Sequence, residues 1–294
     1  MLREALQHSF CWFNGKLIPI SEAKISLFDH GLLYGDGVFE GLRFYNRRPF
    51  RLAMNLKRLH RSLVALELSI PFEDEELVEG VNACIAAAPQ DSGYLRLVVT
   101  RGEGNLGLNP KSCPLPNVFI VSADLEIVDE RKYREGIHII TSTIKRAVGT
   151  GLDSRIKTLN YLHSIMARIE ANVAEADEAL LLNQFGNVAE CCAENIFIIK
   201  DGVLLTPPCT DGALAGITRQ SLIDIANEIK LENYEKTLTP YDVYTADEVF
   251  ICGSGARIIP VGSLDNKKIA HCPGDVFLTL QKRYGELIAQ ECGV

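Results

Sequence analysis

A lysine, a carboxylate and two small-residue turns are the groups in this 294-residue chain with the most chemistry to offer. Lys157, in Arg155-Ile-Lys-Thr-Leu-Asn-Tyr161, stands just ahead of a segment with helical periodicity. A lysine there is ordinarily a solvated charge that the helix dipole slightly disfavours. Desolvated near other cations, its amine would turn neutral and could form a Schiff base with a carbonyl. Both readings stay open. Glu190, in Asn187-Val-Ala-Glu-Cys-Cys-Ala-Glu-Asn195, falls at the end of a short strand between turns, where an exposed carboxylate is the commonest outcome. Gly212-Ala-Leu-Ala-Gly-Ile-Thr-Arg219 runs from a turn into an amphipathic helix. The first amides of such a helix can hold a phosphate, with Thr218 adding a hydroxyl, or Thr218 can simply cap it. Gly253-Ser254-Gly255 is either a second anion cradle or a tight turn between strands.

Two arginines divide differently. Arg58 lies on the outer arc of a Leu-rich helix, where solvation is easy, whereas Arg96 sits in an apolar strand and wants a partner. Cys191-Cys192 reads as a pair of small buried residues, because adjacent cysteines do not easily close a disulfide and no second Cys/His pair is near in sequence. His30, in Phe28-Asp-His-Gly31, reads as a hydrogen-bonded structural histidine rather than a base. There is no HExxH, EF-hand loop, GxxxxGK[ST] or GxSxG, and the spacing of Gly35, Gly37 and Gly41 is not that of a dinucleotide loop.

The elements that must position these groups alternate without a repeat. Cys11–Ile18 reads as a hairpin around Asn14-Gly15, and helices are expected over Leu52–Leu68 and Glu73–Ala87. Buried strands are expected at Leu95–Thr100 and Val118–Ser122. The charged, aperiodic stretch 124–134 marks a boundary, giving an N-terminal domain over 1–125, a linker over 126–136 and a larger domain over 137–294. In the second domain a strand is expected at Ile137–Thr143, then a helix over Leu159–Ala174 with Leu162, Ile165, Met166, Ile169 and Val173 on one face. Strands at Glu178–Leu182 and Asn195–Ile199 follow, the latter ending on an Asp201-Gly202 hairpin turn. A helix opening at Gly216-Ile217-Thr218 keeps Leu222, Ile225, Ala226 and Ile229 inward. A last strand at Glu248–Cys252 and a C-terminal helix from about Asp275 complete an α+β chain with mixed sheets.

Composition agrees with a soluble two-domain protein, since 47% of residues are apolar and 23% charged. Thirty Lys+Arg against 38 Asp+Glu leave a net charge of −8, the wrong sign for a nucleic-acid or anionic-membrane partner. Nine cysteines without a disulfide framework, and no signal-peptide or bilayer-spanning run, point to the cytoplasm.

Taken in order, these segments resemble the class IV fold of pyridoxal-phosphate enzymes, the family of branched-chain aminotransferases, D-amino-acid aminotransferases and aminodeoxychorismate lyase. The segments that carry the likeness are Phe28-Asp-His-Gly-Leu-Leu-Tyr-Gly-Asp-Gly-Val-Phe-Glu-Gly-Leu-Arg43, Arg58, Tyr94-Leu-Arg-Leu-Val-Val-Thr-Arg-Gly102, Lys157-Thr-Leu-Asn-Tyr161, Asp177–Leu182, Glu190 to Asn195, Thr206-Pro-Pro208, Gly216-Ile-Thr-Arg219 and Ala246-Asp-Glu-Val-Phe250. The resemblance implies two domains with the active site in a cleft between them, and pyridoxal 5'-phosphate as cofactor. It implies that Lys157 holds the cofactor as an internal aldimine and shuttles the proton, and that Glu190 faces the pyridine nitrogen and keeps it protonated. Ile217 and Thr218 match the phosphate cup, with Arg58 its cation and Ser254 a hydroxyl. Leu214 matches the residue packed on the ring face, and Tyr161 the partner of the phenolic oxygen. On the substrate side, Phe39 and Gly41 match pocket walls. Tyr34 and Arg96 match partners for a distal carboxylate, Tyr94 belongs to the same substrate side, and the amides of Ser254 and Gly255 match an α-carboxylate clamp. Metal has no place in this set.

D-amino-acid aminotransferases carry an Arg-x-His pair after the Thr-Arg-Gly segment. Here Glu103-Gly-Asn-Leu-Gly-Leu-Asn109 contains neither, so the likeness favours an L-specific branched-chain aminotransferase that passes nitrogen from Leu, Ile or Val to 2-oxoglutarate. A D-amino-acid or amine aminotransferase, the lyase and, more remotely, a thiol-based protein using Cys191-Cys192 are the rivals. The family also implies a homodimer or higher homo-oligomer, with Gly102–Pro110 as a lid over the neighbour's pocket.

Overall fold

The computed structural model describes residues 9–123, 129–149 and 152–294. The expected linker therefore lies in part outside the described residues. The chain divides into two units, one of Met1–Leu125 with Ile156–Asn160 and Ile288–Val294, the other of Glu126–Arg155 with Tyr161–Leu287.

The first unit is built on strands β1 (Phe10–Phe13), β2 (Lys16–Pro19), β3 (Gly37–Tyr45), β4 (Arg48–Pro49), β5 (Gly93–Thr100) and β6 (Asn117–Ala123), in the order β2-β1-β6-β5-β3-β4. Its strand pairs are antiparallel. The hairpin turn is the expected one, with Asn14 and Gly15 at φ 46° and 87°, a pair of left-handed residues that suits the strand twist. Among the described residues the sheet is accompanied by helices α1 (His30–Tyr34), α2 (Leu52–Ala65) and α3 (Asp74–Ala87). α3 opens on a capping box in which Glu73 and Glu76 satisfy each other's backbone amides. Leu56, Leu59 and Leu63 of α2 join Leu77, Val81 and Ile85 of α3 in the core against Val38, Leu42, Leu95 and Leu97 of the sheet.

The second unit holds α4 (Lys132–Glu135) and the strands β7 (Ile137–Arg146), β8 (Glu178–Asn183), β9 (Val188–Cys191), β10 (Asn195–Lys200), β11 (Val203–Thr206), β12 (Asn233–Glu235), β13 (Glu248–Gly253), β14 (Arg257–Leu264) and β15 (Lys267–Lys268). Their order is β12-β11-β10-β13-β14-β7-β8-β9 with β15 on β14, in a sheet that mixes parallel and antiparallel pairs. Glu248–Cys252 is thus not the last strand. Arg257–Leu264 follows it as a fully paired inner strand whose buried run Ile258–Val261 lacks alternation because both its faces are covered. The helices are α5 (Leu162–Val173), α6 (Ile217–Glu228), α7 (Pro240–Tyr244) and α8 (Asp275–Cys292). As expected, α6 buries Leu222, Ile225 and Ala226. Among the described residues no helix is long and apolar enough to cross a membrane.

Two departures around α5 bear on the site. The helix begins at Leu162 rather than Leu159, because Leu159 N donates to Gly37 O (3.0 Å) and Asn160 Nδ2 to Gly35 O (2.9 Å), which draws that stretch out along β3. The large apolar residues Leu162, Ile165, Met166, Ile169 and Val173 share one face as expected, but that face is exposed. The buried side consists of Ser164, Ala167 and Ala171, whose small size lets the helix sit close on Ala179 and Leu181.

Candidate active site

In the first unit Lys157 belongs to an extended segment, not to a helix start. Its carbonyl accepts from Phe39 N (3.0 Å), its own amide donates to Ser62 Oγ (3.1 Å), and Thr158 bridges Val38. The backbone of the lysine is thereby indexed to β3. Its Nζ lies 4.5 Å from the centroid of Phe39, and the guanidinium carbon of Arg96 lies 4.6 Å from the same centroid. One ring therefore meets two cations, an attraction that an aromatic face supplies without carrying charge. Register explains the grouping, since Phe39 and Gly41 share one face of β3 and Gly41 pairs with Arg96 on β5. Tyr94 Oη accepts from Arg96 Nη2 (3.2 Å) and fills the space a Cβ on Gly41 would need.

Arg58 is not solvated. It is buried and forms a bidentate pair with Glu40, Nε to Oε1 at 2.8 Å and Nη2 to Oε2 at 2.7 Å. The helix arc that carries it faces the sheet, and burial of a guanidinium there demands a carboxylate. Tyr34 ends α1 with its ring edge-on to His30 (4.9 Å), and His30 Nε2 bonds Asn105 O (2.9 Å), the structural role expected of it.

The second unit assembles the remaining residues. Glu190, on β9, is buried instead of exposed, with Arg146 held against Oε1. Leu214 N (2.8 Å) and Asn195 Nδ2 (3.2 Å) both donate to Oε2. Asn195 Nδ2 also donates to Leu214 O (2.9 Å), as does Gly216 N (2.8 Å), so the carboxylate, Leu214 and the start of α6 form one hydrogen-bonded piece. Thr218 does not cap α6. Gly216 occupies that position, no side chain caps the helix, and Thr218 is buried in the first turn with its hydroxyl 3.5 Å from Tyr284 Oη. An N-terminus left open in this way, with positive dipole behind it, suits a phosphate. Asn195 Oδ1 fills the space of a Cβ at Gly216, which fixes that glycine. Ser254 and Gly255 form the turn between β13 and β14, where Gly253 pairs with Arg257 and Cys252 lies across from Asn195. Tyr161 immediately precedes α5, its ring tilted toward His163 at 6.2 Å.

Three contributors escaped the sequence reading: Glu40, Arg146 and His163. Glu40 and Arg146 follow from a charge requirement, since a buried cation or anion has to find its opposite, and His163 follows as a neutral acceptor for the Arg146 guanidinium. Cys191 and Cys192 are both buried, and desolvation raises both thiols well above the usual range, so neither is a nucleophile at neutral pH. All nine cysteines are free.

Residues 37–264 match the family model described as amino-transferase class IV. The chain belongs to the class IV aminotransferase family. A branched-chain-amino-acid aminotransferase from Pseudomonas aeruginosa is 34% identical over 284 residues, 95% of this chain and 92% of the relative. A D-alanine aminotransferase from Listeria monocytogenes is 35% identical over 283 residues, 95% of this chain and 96% of the relative. In structure, the T.th. branched-chain amino acid aminotransferase complexed with N-(5'-phosphopyridoxyl)-L-glutamate superposes with a TM-score of 0.90 at 35% identity, covering 97% of this chain and 95% of that one.

Proposed function

We propose that this class IV aminotransferase moves the α-amino group of L-leucine, L-isoleucine or L-valine to 2-oxoglutarate, using pyridoxal 5'-phosphate. The observation that carries the reading is the Phe39 ring, which presents an apolar wall while Arg96 and Lys157 stand against it. Bound pyridoxal phosphate supplies an aldehyde for an amine and a ring that accepts electrons. The open start of α6, with Ile217 and the Thr218 hydroxyl, holds the phosphate, and Arg58 and Ser254 support it. Glu190 holds a proton at the ring nitrogen, Leu214 packs on the ring face, and Tyr161 bonds the phenolic oxygen.

Lys157 Nζ takes the proton from the substrate Cα and later returns one. Arg96 and Tyr34 receive the distal carboxylate of glutamate, while an apolar side chain lies along Phe39. A guanidinium that stays exposed to solvent, against two aromatic rings and the Tyr94 hydroxyl, does not become a buried unpaired charge when leucine occupies the pocket, so one pocket serves both substrates. Gly41, lacking a side chain, leaves room in that wall for the Tyr94 hydroxyl. The amides of Ser254 and Gly255 take the α-carboxylate, common to both substrates. The protein works as a homodimer or larger homo-oligomer in the cytoplasm. The exposed apolar face of α5 supports the first, and the free cysteines the second.

Parallel assays with L-leucine and with D-alanine, each against 2-oxoglutarate, test the reading. Turnover of L-leucine is expected, and turnover of D-alanine alone would reject it in favour of the D-specific branch of the family.

A further inference from the structure

Glu190 is held by a cation that is itself held. Arg146 reaches from the end of β7, gives Nη2 to Glu190 Oε1, and lies with Nη1 against Nε2 of His163 in the first turn of α5. The arginine side chain is 11% exposed and that of the glutamate 4%. His163 can accept only as a neutral ring, and burial together with the neighbouring guanidinium pushes its pKa down to about 4. The ring of His163 in turn leans on that of Tyr161. Three elements thus converge on one guanidinium, and each contributes one anchored group.

We propose that Arg146 is a positioning residue for the cofactor chemistry, serving as the counter-charge of the Glu190 carboxylate and aiming it at the ring nitrogen while His163 fixes the guanidinium from its far side. The inference rests on the assignment of Glu190 to that nitrogen. A buried carboxylate needs a counter-charge, and the amides of Leu214 and Asn195 orient it without supplying one. A protonated Glu190 would have no negative charge with which to hold a proton on the ring, so the cation opposite determines whether the ring can draw electrons from Cα.

Holoenzyme loaded with pyridoxal phosphate labelled with nitrogen-15 in the ring tests this by NMR, because the nitrogen shift separates pyridinium from pyridine. The parent is expected at the pyridinium position and Glu190→Gln at the pyridine position. If those two coincide, the assignment of Glu190 fails, whatever Arg146 does. Given that separation, Arg146→Met is expected to move toward the Glu190→Gln shift and to lose kcat by roughly 100-fold with little change in KM. Arg146→Lys, which keeps a charge, is expected near the parent. The double variant Arg146→Met/Glu190→Gln is expected to be no slower than Glu190→Gln alone. An Arg146→Met enzyme that melts earlier but keeps the parent shift would overturn the proposal, since that is the signature of a purely structural arginine. If Arg146→Met does not fold by circular dichroism, His163→Leu gives the same reading: a smaller displacement in the same direction supports the proposal, and an unmoved shift overturns it.

Discussion

Tyr94 Oη occupies the space that a side chain on Gly41 would need, so the bare backbone at Gly41 and the hydroxyl that steadies Arg96 are fitted to each other across the β3 and β5 ladder. Gly41→Ala is expected to displace the tyrosine and with it the arginine. Steady-state kinetics should show KM for 2-oxoglutarate rising about tenfold, a displacement of the kind that misplaced binding groups produce. An unchanged KM would mean that the two positions are independent.

Lys157 is expected to be indispensable. Lys157→Ala should lower transamination by about a thousandfold or more, and Lys157→Arg should fail equally because a guanidinium does not give up its proton to become a nucleophile. Borohydride followed by mass spectrometry checks this directly, with cofactor mass retained on the parent chain and absent from both variants.

The pair Glu40 and Arg58 sets a stability expectation. Both side chains are nearly inaccessible, at 1% and 7% exposed, so Glu40→Gln leaves a buried guanidinium without its counter-charge. Loss of one partner of such a pair costs about 3–5 kcal/mol. Urea denaturation should show a lower midpoint for Glu40→Gln, and a midpoint equal to the parent's would contradict the pairing.

Glu194 predicts a pH dependence. Burial, aided by the charge of Glu178, raises its carboxyl from the ordinary 4.5 to about 8. The folded state then holds a proton that the unfolded state has released between those values, so this group's contribution to stability is complete below about pH 4.5 and is lost as pH rises toward 8. Glu194→Gln removes the dependence. Its melting temperature should gain on the parent's as pH is raised from 5 to 8, and a constant difference would refute the assignment.

Much of this was legible from local pattern. The Asn14-Gly15 hairpin, the two helices of the first unit and the inward face of α6 follow from turn chemistry and periodicity, which act over a few residues. Long-range demands were less visible. The solvated alternative weighed for Arg58 gave way to Glu40, eighteen residues away, and the exposed alternative weighed for Glu190 gave way to Arg146, forty-four residues away. Periodicity also placed the five large residues of α5 on one face without saying that alanines would form the buried one. Sequence spacing locates a charge on its own element, while its partner is chosen by the fold.

The threading of Ile156–Asn160 along β3 has a mechanical meaning. Phe39 and Lys157 share a backbone hydrogen bond, so the lysine and the aromatic ring beside its amine are bolted to one beam. A displacement of β3 at Phe39 therefore carries the backbone of Lys157 with it.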